Sequence, residues 1–193
     1  VDRSEGIMFD DTGWGEVNML VHQWAETSGD NSIKSIMLQM AAKEEFGLVK
    51  ASLSHLPIEA VPENEMIMKA YRSFLRAQYE ATQEILKEKG ITELTVYRGM
   101  TFKNKIADTL VYEAKEQPLT SYSTDREIAR MFANSSDYMV KSRMVLEQTI
   151  PAERIFSTTL TGVGCSNESE FVILGGTNKV NVVIKHGREA IPK

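Results

Sequence analysis

Two hydrophobic periodicities divide this chain near Gly90. Before Gly90, apolar residues recur three and four positions apart, which is typical of helices with one buried face. This spacing predicts helices over about 14–25, 32–46 and 63–89, with a proline-containing connector over 48–62. The first half of the chain is therefore predicted to be helical.

The same spacing predicts which residues of two helices face inward. On the helix over 32–46 these are Ile33, Ile36, Met37, Met40 and Ala41. On the helix over 63–89 they are Ile67, Tyr71, Phe74, Gln78, Ala81 and Ile85. Because methionine is unbranched and flexible, we interpret the methionines of these helices as core residues that fill gaps.

Beyond Gly90 the period shortens to two, as in strands with one buried face. Strands are predicted around Leu94 and Val96 and near 110–114, 144–150, 154–158, 170–174 and 179–185. These elements predict an α+β fold. A helical N-terminal region, residues 1–89, would pack on a mostly antiparallel core, residues 90–193, to form one compact domain.

One short helix is expected to interrupt the strands. It follows the serine-rich segment 119–124 and runs to Asn134. Thr124 and Glu127 have the spacing of a capping box, which indicates that the helix begins there. Ile128 and Phe132 lie one turn apart, so we expect both to pack inward.

Composition and charge exclude several kinds of function. The 193 residues are 42% hydrophobic and 25% charged, as in ordinary globular proteins, and the net charge of -5 argues against a general affinity for nucleic acid. One cysteine allows no internal disulfide and no cysteine-based zinc site, and the three histidines lack metal-ligand spacing. We therefore expect no metal.

Neither a membrane-spanning segment nor a signal peptide is evident. No apolar run reaches the roughly 18 residues that span a bilayer. The chain opens with Val1 rather than Met, so we expect a processed product or a domain of a longer protein. The compartment, the target and any delivery or immunity partner are not indicated.

Three short motifs hold the candidate chemistry. Glu168-Ser169-Glu170 places two carboxylates on one face if the segment is a strand, and such like charges repel each other. An arginine stands earlier in Tyr97-Arg98-Gly99, at the end of a predicted strand. Between them lies Ser121-Tyr122-Ser123, at a strand-to-helix junction.

In this order and spacing, the motifs resemble those of mono-ADP-ribosyltransferases of the arginine–serine–glutamate class, which occur in bacterial toxins, phages and vertebrate ectoenzymes. The resemblance covers about residues 90–186 and implies an ADP-ribosyltransferase-like antiparallel β-sandwich. It also implies NAD+ as co-substrate and a target protein that bears the acceptor arginine. The reaction breaks the nicotinamide–ribose bond through a transition state that resembles an oxocarbenium ion.

The resemblance assigns roles to residues of this chain. Glu170 matches the catalytic glutamate, which hydrogen-bonds the ribose 2′-hydroxyl and stabilises the cationic sugar. Arg98 matches the arginine that holds the dinucleotide, and a guanidinium suits this task because it stays charged and presents several donors. Ser121 matches the serine that steadies the glutamate, with Ser123 in support. Tyr122 stands where the family often has threonine.

Further residues are expected to contact nicotinamide or the acceptor. Gly99 would permit the close approach of the nicotinamide amide, and Phe132 is either a nicotinamide neighbour or a core residue. Glu168 matches the glutamate that goes with transfer to arginine, because a carboxylate can orient the acceptor guanidinium and help to remove its proton. Gly164 and Asn167, in the loop over 157–167, match the acceptor-recognition loop.

Three alternatives remain open at this point. Water could be the acceptor, which would make the protein an NAD glycohydrolase. The acceptor could be a nucleic acid or a small molecule. From another class, the chain could be an inactive binding module or part of a phage particle that keeps the fold.

Overall fold

A computed structural model of the protein describes residues 33–53, 65–106, 110–135, 139–162, 169–186 and 191–192. Within these ranges the helices are α1 (Ile33–Glu45), α2 (Glu65–Glu88) and α3 (Arg126–Ala133). The strands are β1 (Glu93–Phe102), β2 (Val111–Lys115), β3 (Leu119–Ser123), β4 (Ser142–Pro151), β5 (Ile155–Ser157), β6 (Glu170–Leu174) and β7 (Thr177–His186). A short 3-10 turn, Ala152–Arg154, joins β4 to β5.

The predicted α+β class and antiparallel pairing are confirmed for the described residues. The seven strands form one sheet in the order β2-β7-β4-β1-β3-β6-β5, and each pair is antiparallel. The six predicted strands form within a few residues of their expected positions, and the serine motif lies in β3, directly before α3, as the predicted strand-to-helix junction. The helix predicted over 14–25 lies outside the described residues.

The sheet has two halves that meet at one point. β1 and β4 form a long ladder from Glu93 opposite Pro151 to Phe102 opposite Ser142. Among the described residues, β1 and β3 share a single directly opposed pair, Tyr97 and Ser123. Beyond this pair the two strands separate, so a gap opens beside Arg98.

Helices α1 and α2 cover the half of the sheet that contains β3, the serine strand, which holds Ser121 and Ser123. The shared apolar cluster consists of Met37, Leu38, Ala41, Ala42, Tyr71, Leu75, Leu119, Phe156, Val172 and Leu174. Gln39 of α1 reinforces this packing, since its side chain receives a hydrogen bond from the Leu119 amide (2.7 Å) and donates one to the Leu119 carbonyl (3.0 Å). Burial of apolar surface and these buried bonds together attach the helices to the start of β3.

The inward faces of the helices differ in part from the prediction. Ile33 is 46% exposed because it begins α1. On α2 the buried residues are Tyr71, Leu75, Thr82 and Leu86, while Ala81 is exposed. The reason is that this face is partly polar: the Thr82 hydroxyl lies 2.8 Å from that of Thr161. Hydrophobic spacing alone therefore misplaces the buried stripe.

Helix α3 begins one residue later than the capping-box pattern indicated. The N-cap is Asp125, whose carboxylate accepts a hydrogen bond from the Glu127 amide at 2.7 Å. Ala129 and Ala133 face β1 and β4, where they pack beside Tyr97 and Val145. The expectation that Phe132 packs inward is wrong, because the small alanines occupy the buried side of this short helix.

Candidate active site

The serine strand places Glu170 beside a serine. β3 and β6 pair so that Ser123 lies directly opposite Glu170 and Ser121 opposite Val172. Directly opposed residues have Cβ atoms about 4.5–5.5 Å apart, whereas diagonal neighbours are about 7–8 Å apart. Ser123, expected as the supporting serine, is thus the nearer neighbour of Glu170 along the ladder. Ser121 lies on the same face of the sheet as Ser123 and Glu170, two residues before Ser123 on β3.

Arg98 lies where β1 and β3 separate. Its guanidinium donates a hydrogen bond to the Ser121 carbonyl at 3.0 Å. The same guanidinium lies 5.7 Å from the centroid of the Tyr122 ring. The arginine and the serine motif, which are 23 residues apart in sequence, are therefore in contact.

The premise that the Glu168-Ser169-Glu170 segment forms one regular strand is wrong at Ser169, which precedes the first residue of β6. β6 begins at Glu170, and Ser169 has a φ of 47°, which lies in the left-handed region. Residues other than glycine adopt this region rarely, and it interrupts the alternation of a strand. The Ser169 carbonyl accepts a hydrogen bond from the Thr124 amide at 3.3 Å. The predicted acceptor residues Glu168, Gly164 and Asn167 lie outside the described residues.

Gly99 has a packing role in this structure. A Cβ built on Gly99 would lie 1.9 Å from the Ala129 carbonyl oxygen and 2.5 Å from the Ala133 amide nitrogen. The absence of a side chain thus lets α3 contact β1 directly. Phe132 of α3 is 49% exposed, which leaves its ring accessible to a ligand. The nicotinamide roles of both residues stay predictions.

A cavity of about 530 Å³ adjoins the gap between β1 and β3. Arg98 and Tyr122 line it together with apolar residues of β1 and β2, among them Phe102 and Tyr112. This volume is within the range of about 300–1,000 Å³ that small-molecule sites occupy. Ser121, Ser123 and Glu170 are not among its lining residues, because strand alternation turns them to the other face.

A buried carboxylate beside the cavity was missed by the sequence analysis. Glu116 is 4% exposed and accepts hydrogen bonds from the Tyr122 hydroxyl (2.7 Å) and the Gln148 amide (2.9 Å). Its other carboxylate oxygen lies 3.0 Å from the Arg154 guanidinium. Glu116 stands in a connection between strands and belongs to no periodic pattern, so no local signal could have identified it.

The surroundings of Tyr122 determine the pKa of its hydroxyl. Burial raises the pKa of the Tyr122 hydroxyl well above its ordinary value, and the Glu116 carboxylate raises it further, while Arg98 acts in the opposite direction. The hydroxyl is thus protonated at neutral pH and is the donor to Glu116.

The described residues contain no group of three or more histidine, cysteine or acidic side chains that could hold a metal ion. Likewise, none of the described helices has both the length and the apolar character that membrane crossing requires. No protein-family model matches the chain, and no curated protein or solved structure matches it significantly.

Proposed function

We propose that this protein is an NAD-dependent mono-ADP-ribosyltransferase that transfers ADP-ribose to arginine on a target protein and releases nicotinamide. The observation that carries the proposal is the placement of Glu170 opposite Ser123, on the strand whose Ser121 carbonyl accepts a hydrogen bond from Arg98. Residues 72 positions apart thus adjoin one gap in the sheet, with Arg98 on the cavity side of β3 and Glu170 on the opposite side, and in this proposal NAD reaches both through the gap. In this proposal the two halves of the sheet are the two layers of an ADP-ribosyltransferase-like sandwich.

Each residue has a defined task in the proposed reaction. Arg98 binds the pyrophosphate of NAD, because a guanidinium donates several hydrogen bonds to phosphate oxygens. Glu170, oriented by Ser123 and Ser121, accepts a hydrogen bond from the ribose 2′-hydroxyl and stabilises positive charge on the ribose. Nicotinamide leaves with the electron pair of its bond to ribose C1′. A nitrogen of the acceptor arginine then bonds to C1′, and Glu168 takes the proton that this nitrogen loses.

The experiment measures both products of the reaction. The protein is incubated with NAD labelled in the adenylate half, together with a cell lysate, and free nicotinamide is quantified in parallel. We expect labelled protein and nicotinamide release, and we expect Glu170→Gln to lower both by about a hundredfold or more, as removal of one transition-state contact does. Glu93→Gln is the matched control, since Glu93 is an exposed glutamate at the start of β1.

The acceptor is tested separately. Glu168→Gln should abolish transfer to a small guanidine such as agmatine while most nicotinamide release persists. Nicotinamide release without label on any macromolecule would make the protein a glycohydrolase, and label that nuclease removes would indicate a nucleic-acid acceptor. If the protein releases no nicotinamide and labels nothing, the proposed function is wrong.

A further inference from the structure

Two contacts restrict the Arg98 side chain. One nitrogen donates to the Ser121 carbonyl at 3.0 Å, and the guanidinium carbon lies 5.7 Å from the centroid of the Tyr122 ring, within cation–π distance. Among the described residues, that carbonyl is the one hydrogen-bond acceptor in contact with Arg98. Since a guanidinium has five N–H donors, the described part of the chain engages only a minority of them, and Arg98 lines the cavity where a ligand could accept from the others.

The Tyr122 ring is itself held in place. Tyr122 is 3% exposed, and its hydroxyl donates to a Glu116 carboxylate oxygen at 2.7 Å. Hydrogen bonds to an ionised acceptor are stronger than neutral ones, so the ring has little freedom to turn away from the guanidinium.

Glu116 is in turn held by two other elements, β4 and the 3-10 turn that follows it. Gln148 of β4 donates to it, and Arg154 of the 3-10 turn balances its charge. Arg154 also donates to the Leu174 carbonyl at the end of β6. Because networks of this kind rigidify the groups that they join, the network fixes the Tyr122 ring relative to β4 and β6.

We propose that Tyr122 and Glu116 are positioning residues for Arg98. The ring, tethered through its hydroxyl to Glu116, holds the guanidinium beside the Ser121 carbonyl so that its remaining donors face the cavity and bind the pyrophosphate of NAD. The identity of that ligand rests on the proposed function, whereas the positioning itself does not. In this proposal, the tyrosine between the two serines has a function of its own, which is to position Arg98.

Kinetics give the first test. Tyr122→Leu removes the ring, and we expect the KM for NAD to rise about tenfold while kcat changes less than about threefold, because ground-state and transition-state binding are lost equally. Tyr122→Phe keeps the ring without its tether and should raise KM by about threefold. Tyr79→Phe is the matched control: its hydroxyl donates to the Glu153 carbonyl at 3.0 Å, away from the cavity, so KM should not change.

A second measurement needs no turnover. The Nε–Hε signal of Arg98 is assigned by NMR from its loss in Arg98→Lys, and inorganic pyrophosphate is the binding probe. The signal should move in Tyr122→Leu and, less, in Tyr122→Phe, with weaker pyrophosphate binding in the same order, and should stay unchanged in Tyr79→Phe. If Tyr122→Leu does not fold, Tyr122→Phe alone decides, because it preserves the volume of the ring.

The two proposals fail in different ways. A wild-type protein that cleaves NAD, with KM and the Arg98 signal unchanged in the Tyr122 variants, would overturn the positioning role alone. A fall in kcat at constant KM would also overturn it. A wild-type protein that does not cleave NAD, but whose Arg98 signal and pyrophosphate binding respond to Tyr122, would refute the proposed function and support the positioning role.

Discussion

The contact between α3 and β1 at Gly99 allows a quantitative prediction. In Gly99→Ala, the new methyl carbon would lie 1.9 Å from the Ala129 carbonyl oxygen, where contacts under 3.0 Å are essentially never seen. To remove this overlap, α3 must move away from β1 by about 1 Å. Both colliding atoms are backbone atoms, so no side chain can rotate to make room, and protein interiors compress little.

The cost should be near the upper end of that for overpacked cores, about 3 kcal/mol of unfolding free energy. With a urea m-value of about 2 kcal/mol/M, the midpoint of unfolding should fall by about 1.5 M. Circular dichroism during urea unfolding measures this shift.

Gly176→Ala is the matched control, since a Cβ at Gly176 would meet no atom within 4 Å. Its midpoint should stay within about 0.3 M of the wild type, as for surface substitutions in general. If Gly99→Ala and Gly176→Ala unfold at the same urea concentration, the direct contact of α3 with β1 is refuted. The tight packing would then give no reason for glycine at position 99.

Three further predictions concern single side chains. Gln39→Leu should lower the unfolding free energy by about 2–3 kcal/mol, because it leaves the buried backbone groups of Leu119 unsatisfied; an unchanged urea midpoint would contradict this. Phe132→Ala should change the urea midpoint little, since the ring is half exposed, but should raise the KM for NAD if the ring contacts nicotinamide; a loss of several kcal/mol would contradict the exposed position. Above pH 10 the unfolded Tyr122 loses its proton while the folded residue keeps it, so stability falls by about 1.4 kcal/mol per pH unit. From pH 10 to pH 11 the stability difference between wild type and Tyr122→Phe should narrow by about 1 kcal/mol, less than the full slope because the unfolded tyrosine is only half deprotonated at pH 10; a constant difference would refute the raised pKa.

Much of the secondary structure could be predicted because it depends on local periodicity. The strand of Val96 and Arg98, the strand that begins at Glu170 and the long helix before Gly90 all form where the spacing indicated. A strand alternates its side chains and a helix repeats every 3.6 residues, so burial of one face leaves a readable pattern. The buried face of α2 was misplaced because Thr82 is polar and yet buried.

The candidate site was predictable only as a set of residue types. Motif order suggested that Arg98, Ser121 and Glu170 act together, and Arg98 does contact the Ser121 carbonyl. Motif order could not reveal that Ser123 is the serine opposite Glu170, since this depends on the register of two strands about 50 residues apart in sequence. It also could not reveal the left-handed Ser169, which separates the two glutamates of the motif.

By itself, the sequence determined where helical periodicity ends near Gly90, which segments become strands, and which residue types are available for chemistry. These properties follow from neighbouring side chains. Only the tertiary structure decided that β1 and β3 separate beside Arg98. It also decided that Glu116 holds the Tyr122 ring beside the Arg98 guanidinium. Such contacts join segments distant along the chain, and their geometry depends on strand register and packing across the whole sheet, which no local pattern encodes.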